Sequence, residues 1–395
     1  MPGPLDGVRI VDCSAVVSGP LATMMLADQG ADVIKIEPPK TGDITRSPWF
    51  SRGGIAALFA NANRGKRSVA LELHEPRGQE LLKKLVAEAD VFVQNFRPGA
   101  MQRLGLGEPE LRAINPDLIY VSISGFGETG PYSDRRVYDP VIQGMTGHIA
   151  VQRLPLNAGP VDLVRNIICD KTTSYTAAQA ITAALFARER GQGGQHITLS
   201  MIDASLAFFW CDGMIAHTMI GEGVEPAAAL YDIYKLRETA DGPLVVFAAS
   251  DSEFQGLARA LNRPDLIEDE RFTSLADRIK NIVALEDILA GEFKRWNSKE
   301  LVERVVAEDV PAGPVSSLEE VLVNPQIVHN GAIVESDHPT AGRMRQPAPP
   351  ARFDRTPSQA GEPAPLLGQH TDEVLAEYGL GAEERAALRR DGVIA

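Results

Sequence analysis

Asp170 stands immediately before KTTSYTAAQAITAALFARER, a long stretch with helical spacing. An aspartate there has two uses. It can cap the helix, accepting hydrogen bonds from first-turn amides, and on residues alone this is the commoner role. It can also act on a substrate, because those amides favour the ionised carboxylate, and only the carboxylate can attack an acyl carbon. A second candidate group is Arg97 and Arg103 in QNFRPGAMQRLG. Guanidinium groups suit phosphate oxygens. The alternative is a pair of solvated charges at the start of a helix, and the residues alone leave the choice open.

Other familiar chemistry is absent from the sequence. The turn CSAVVSGPLATMM has a single glycine, Gly19, rather than the G-x-G-x-x-G of dinucleotide sites, so NAD or FAD is not expected. Gly65-Lys66-Arg67-Ser68 imitates the end of a P-loop, but Ala60 replaces the first loop glycine and Arg67 the hydroxyl residue after the lysine. The seven histidines (His74, His148, His196, His217, His329, His338, His370) show no H-x-x-x-H spacing, and Cys13, Cys169 and Cys211 form no C-x-x-C pair. No metal site is expected. No G-x-S-x-G elbow marks a serine hydrolase.

The elements that must position these residues alternate strand and helix. Val8 to Cys13 is an apolar, β-branched run. Pro20 opens a helix over PLATMMLADQ, Gly30 stops it, and ADVIKIE, ending at Glu37, is a second buried strand. This β-α-β unit implies parallel strands and a right-handed crossover. VFVQNF (91–96) and LIYVSIS (118–124) repeat the strand pattern, with helices at 77–88 and 107–114. The expected fold is α/β, an open, doubly wound parallel sheet. Arg97 and Arg103 then follow a strand's C-terminal end, where such sheets bind ligands. After the long helix come the strand QHITLSMID and the apolar helix ASLAFFWCDGMIAHTMI. From about 225 to 325 the pattern changes to one strand, PLVVFAA, with amphipathic helices, one opened by Asn297 and Glu300 in capping-box spacing. Residues 339–368, rich in Pro and Gly, suggest an extended linker before two short C-terminal helices.

A chain of 395 residues exceeds what one core usually serves, so two domains are expected. A net charge of −14 disfavours nucleic acid and anionic membranes as partners. There is no run of ~20 apolar residues for a membrane helix. MPGPLDGVRIVD lacks a basic segment leading into an apolar one, and the few scattered cysteines suit a reducing compartment, so a cytoplasmic location is expected.

Several stretches together carry a resemblance. PLDGVRIVDCSAVVSGPLATMMLADQGADVIKIEPP, NRGKRSVALEL, VQNFRPGAMQRLGLG, INPDLIYVSISGFGETGPY and LLGQHTDEVLAEYGL, in that order, resemble the family III CoA-transferases, which also include the α-methylacyl-CoA racemases. VPAGPVSSLEEVLVNPQ (310–326) resembles that family's small domain. The resemblance implies a Rossmann-like large CoA-binding domain from residues 1–224, a small α+β domain from 225–325, and a return through 326–395, in an interlocked homodimer. It implies Asp170 as a nucleophile that passes through a mixed anhydride and an aspartyl-CoA thioester, moving CoA from an acyl-CoA to a carboxylic acid. Coenzyme A is then substrate and carrier, with no other cofactor and no metal. Val17 and Ser18 would line the CoA site through their backbone. Leu71, Asn95, Phe96, Arg97 and Arg103 would hold the nucleotide portion, with Arg136 and Tyr138 along the CoA arm.

Three departures separate the chain from the formyl-CoA branch. Pro38 stands where a basic residue is usual, Val17 replaces a polar side chain, and PAAALYDIYKL (226–236) lacks a glycine run. They point to a larger or less polar acyl group than formyl or oxalyl. The racemase alternative needs a His-Asp pair and a second aspartate. Here Tyr138-Asp139 stands at the pair, and tyrosine, with a reference pKa of about 10, is a poor base near neutrality.

Overall fold

The computed structural model describes residues 2–47, 50–152, 161–225 and 229–395. Its contacts divide the chain into two units, Met1–Glu225 with Val328–Ala395, and Pro226–Ile327.

The first unit is built on six parallel strands: β1 (Arg9–Asp12), β2 (Asp32–Glu37), β3 (Lys66–Ala70), β4 (Val91–Gln94), β5 (Ile119–Ser124) and β6 (His196–Ser200), in the order β3-β2-β1-β4-β5-β6. The order reverses between β1 and β4, which opens a crevice at the C-terminal ends of those two strands. Strand alternation sends successive side chains to opposite faces. Ile10, Val33, Val91, Val93, Ile119 and Val121 pack under helices α1 (Ser18–Ala27) and α5 (Ile168–Ala187). Val11, Ile34, Phe92 and Tyr120 pack under α2 (Pro76–Ala87), α3 (Glu108–Ile114) and the C-terminal helices Thr371–Glu377 and Ala382–Arg390. Burying each such side chain is worth about 1.5–3 kcal/mol. The sheet is therefore doubly wound, as its alternating sequence predicts.

The chain end covers the open edge of β3. Ala70 N donates to Thr371 Oγ1 at 3.1 Å, His370 N to Ser68 O at 2.9 Å, and Glu72 N to Val393 O at 2.9 Å. Before that return, β10 (Ile333–His338) and β11 (Gly342–Pro347) form a hairpin, so residues 342–347 are strand rather than linker. Their alternating burial supplies the pairing face, and Gly342 takes the positive φ of +69° at the turn.

The second unit has three antiparallel strands, β7 (Leu236–Glu238), β8 (Pro243–Val246) and β9 (Ala312–Pro314), where the sequence suggested one. β7 and β9 are three residues each, too short for a periodic signal. Phe254, Leu257, Phe272, Leu289 and Leu301 form its core. The capping boxes fall at Ser250/Glu253 and Ser317/Glu320 rather than at Asn297/Glu300. At that helix Asp241 Oδ1 takes the Ser298 amide at 2.7 Å, leaving Asn297 without a capping bond. Residues 226–228 of PAAALYDIYKL lie outside the described residues.

Candidate active site

The site grows from the loop after β1. Asp12, fully buried, gathers Ser14 N at 2.9 Å, Thr23 Oγ1 at 2.7 Å and Lys66 Nζ at 2.9 Å, and Ser14 Oγ also donates to it. Burial alone would raise the Asp12 pKa, but Lys66 and Lys35 outweigh it and hold the carboxyl below the usual range. Burial pulls Lys66 down to about 8. Even so, Lys66 Nζ serves three acceptors (Asp12 Oδ2, Pro20 O and Asn63 Oδ1), which an ammonium satisfies with its three hydrogens. The imitation P-loop lysine is thus a structural ion inside β3.

The loop is tight. A Cβ on Gly19 would lie 2.3 Å from Ser14 Cβ, so only glycine fits. Asn95, just past β4, clasps Ala15 from both sides: Ala15 N donates to Oδ1 at 2.8 Å, and Nδ2 donates to Ala15 O at 2.7 Å. This clasp ties together the two loops flanking the crevice. Val16 holds φ at +70°, a left-handed conformation that is a genuine outlier for a β-branched residue. Its N–H reaches Asp43 Oδ1 at 3.3 Å, and Asp43 is paired with the fully buried Lys35 at 3.1 Å.

Glu37 ends β2, the position from which dinucleotide folds present a ribose-binding acid. Here both its oxygens are held by Arg46 at 2.7 Å. With no glycine fingerprint and a committed Glu37, the crevice does not suit NAD or FAD.

Asp170 enters from α5. The helix begins at Ile168, not after Asp170, so Asp170 occupies its first turn and caps nothing. The expectation of Asp170 as a cap is corrected by a residue from another helix. Asp139, first in α4 (Asp139–Met145), accepts from Cys169 N at 2.7 Å and Asp170 N at 3.0 Å. Asp170 Oδ1 instead accepts a hydrogen bond from Ser18 Oγ. Ser18, expected as a backbone contact outside the helix, is the first residue of α1, with Pro20 inside the first turn. Burial pushes the Asp170 carboxyl above its ordinary range, Ser18 opposes the shift, and the Asp139 charge adds to it. Among the described residues no cation is paired with Asp170. Neighbouring Cys169 is no rival, since its side chain is fully buried and burial pushes the thiol up to about 11.

Asp170, Ser18, Asn95, Phe96, Arg97, Arg136 and Tyr138 line one cavity of about 360 Å³. Leu71, Phe96 and Arg103 line a second, of about 410 Å³, together with Pro38. Phe96 is common to both. Val17 lines neither; its side chain is buried, and Val16 faces the cavity in its place. Sequence reasoning missed Val16, Arg135 and Met201, which also line the first cavity, and gave Asp139 no structural role. The Val16 backbone has no sequence signature, whereas Arg135 beside Arg136 was legible. Arg97, Arg103, Arg135 and Arg136 have no ion-pair partner among the described residues, in a chain of net charge −14. Unpaired arginines in an acidic protein make a local positive field that attracts anions.

A doubly wound α/β fold here carries, among the described residues, a buried carboxylate without a cation partner and arginines without an acid partner around one crevice. The comparisons with known proteins give the family. The model of CoA-transferase family III matches residues 5–371, and the chain belongs to that family. Succinyl-CoA:glutarate CoA-transferase of Mus musculus is 36% identical, over 99% of this chain and 90% of its own length. Formyl-CoA:oxalate CoA-transferase of Escherichia coli O157:H7 is 32% identical, over 100% of both. The crystal structure of a CAIB/BAIF family protein from Brucella suis aligns with a TM-score of 0.82 at 33% identity, covering 96% of this chain and 100% of that one. The chain is therefore a CoA-transferase of family III. No helix among the described residues is long and apolar enough to cross a membrane.

Proposed function

We propose that this enzyme transfers coenzyme A from an acyl-CoA thioester to a carboxylic acid, with Asp170 as the covalent nucleophile. The observation that carries this reading is the Asp170 carboxylate, free of capping duty and, among the described residues, of any cation partner, facing a cavity lined by arginines. Relatives named for transfer between succinyl-CoA and glutarate support it and favour a dicarboxylate acceptor.

The steps exchange one activated acyl group for another. The Asp170 carboxylate attacks the thioester carbonyl; the C–S bond breaks, CoA leaves as thiolate, and an aspartyl mixed anhydride remains. The thiolate attacks the aspartyl carbonyl and expels the donor's carboxylate, leaving an aspartyl-CoA thioester. The acceptor carboxylate attacks that thioester, again releasing thiolate and forming a second anhydride. Thiolate attack on the acceptor carbonyl then releases the new acyl-CoA and restores Asp170. Each bond broken is replaced by one of similar energy, which suits covalent catalysis. A carboxylate whose proton affinity is raised by burial is a better nucleophile than an exposed one.

Arg97, Arg103, Arg136, Leu71, Asn95, Phe96 and Tyr138, with the backbone at Val17 and Ser18, are assigned to the CoA ester. The racemase alternative is disfavoured because no histidine lines the Asp170 cavity among the described residues. Buried His148 packs on Phe209 instead. Exposed apolar side chains on α5 and on α6 (Met201–Gly213), among them Tyr175, Phe186, Phe208 and Trp210, are suited to a second copy in an interlocked homodimer. A panel of acyl-CoA donors against mono- and dicarboxylic acids tests the reading. CoA transfer that requires the acid and is lost in Asp170→Ala supports it. Exchange of the donor's α-proton with deuterated water, with no acid present, contradicts it.

A further inference from the structure

The amides at the start of α5 are satisfied from outside their own helix. Ile167, the flanking residue, offers no side-chain cap. Asp139 Oδ2 takes Cys169 N at 2.7 Å and Asp170 N at 3.0 Å. Asp139 Oδ1 is held in turn by Gln143 Nε2 at 2.5 Å, one turn along α4. Gln143 also grips the segment leading into α5: its Nε2 donates to Asn166 O at 3.1 Å, and its Oε1 accepts from Val164 N at 3.0 Å. Both side chains are buried, at 2% and 1% exposure, so water does not replace these bonds.

A carboxylate in the first turn competes for free helix amides, because an unsatisfied N–H is expensive to bury. If Asp170 met that demand itself, it would turn away from the cavity. We infer that Asp139, held by Gln143, is a positioning residue for the nucleophile: it occupies the α5 amides so that the Asp170 carboxylate stays turned to Ser18 and the cavity. This rests on Asp170 being the nucleophile. A second effect follows. Helix-end amides stabilise a carboxylate and weaken it as a base. Asp139 takes that stabilisation for itself and places a negative charge near Asp170. The other groups around Asp170 are neutral Ser18 on α1, the protonated Cys169 thiol on α5, and Tyr138, Arg97, Arg135 and Arg136 on the cavity wall. His148, behind Asp139, has its pKa lowered by burial and is neutral near pH 7. Asp139 is thus the anion set beside Asp170.

The test compares wild type, Asp139→Ala and Asp139→Asn in steady-state kinetics across pH, with circular dichroism for folding and hydroxylamine trapping at Asp170. Asp139→Ala is expected to lower kcat by about 100-fold, the scale of a misplaced reacting group, with KM for the acyl-CoA within about threefold. Asp139→Asn, which returns an acceptor oxygen without the charge, is expected to recover part of kcat. Its acid limb of kcat/KM should lie at lower pH than wild type, because loss of a neighbouring anion makes Asp170 easier to ionise. If Asp139→Ala does not fold, Asp139→Asn decides alone. Folded variants with unchanged kcat, or an acid limb at the wild-type position, overturn the inference. Trapping separates the two claims: an adduct in wild type with unaltered Asp139→Asn kinetics overturns the positioning role alone. No adduct in wild type overturns the nucleophile and with it this inference.

Discussion

Ser18 Oγ donates a hydrogen bond to Asp170 Oδ1, joining the first turns of α1 and α5 across 152 positions of sequence. Both helix starts lie at the C-terminal side of the sheet, and the bond is the one side-chain hydrogen bond that the Asp170 carboxylate accepts among the described residues. It stabilises the charged form and so opposes the rise in proton affinity caused by burial.

Removing that donor should act in the opposite sense to removing Asp139. Ser18→Ala leaves burial unopposed, so Asp170 holds its proton to higher pH and the acid limb of kcat/KM moves upward. A hydrogen bond to a charged group is worth about 1.5–3 kcal/mol, so on the acid limb kcat/KM should fall about 10- to 100-fold relative to wild type. A pH–rate profile of the variant beside wild type checks both the direction and the size.

Asp170 should also oppose folding at the pH where the enzyme works. Its folded pKa lies above the unfolded value, so ionising it is harder in the fold. The resulting destabilisation is fully present above the folded pKa and vanishes below the unfolded one. Asp170→Asn should therefore raise stability near neutrality by about 0.5–2 kcal/mol, the usual scale of a stability–activity trade-off, and lose that advantage in acid. Urea titrations at pH 7.5 and in acid read the difference.

Arg97, Arg103, Arg135 and Arg136 should act on binding rather than on chemistry. Arg97→Gln and Arg103→Gln are each expected to raise KM for the acyl-CoA about tenfold or more, with kcat changed little, because a charge-assisted contact to an anion is lost. The wild-type KM should rise with ionic strength, and less steeply in each variant.

Lys66 should matter for stability alone. Lys66→Met leaves Asp12 buried with its nearest cation gone, which costs about 3–5 kcal/mol. Adding Asp12→Asn removes the orphaned charge and should recover part of that loss. Chemical denaturation of the single and double variants measures it.

Much of this was legible in the sequence. The β-α-β pattern yields the parallel sheet because buried strands are written as short β-branched runs, and β1, β2, β4 and β5 fall within the expected stretches. The candidate site residues came mainly from the resemblance: composition and spacing alone left Asp170 as a helix cap. The helix start could not be read because its cap, Asp139, lies 31 positions from the Asp170 amide it accepts, and a local capping rule does not see it. Asn297 failed for the same reason, with Asp241 capping from 57 positions away. Val16 shows a different limit. Its left-handed backbone opposes its own residue preference and is held by Asp43, so only the assembled loop reveals it.

The central claim is a covalent bond to Asp170, and trapping tests it most directly. The enzyme is incubated with a donor acyl-CoA that it demonstrably uses, quenched with hydroxylamine, digested and analysed by peptide mass spectrometry. The account predicts an aspartyl hydroxamate on the peptide containing Asp170, dependent on the donor and absent from Asp170→Asn. An unmodified Asp170 peptide, with turnover confirmed in the same sample, would contradict it.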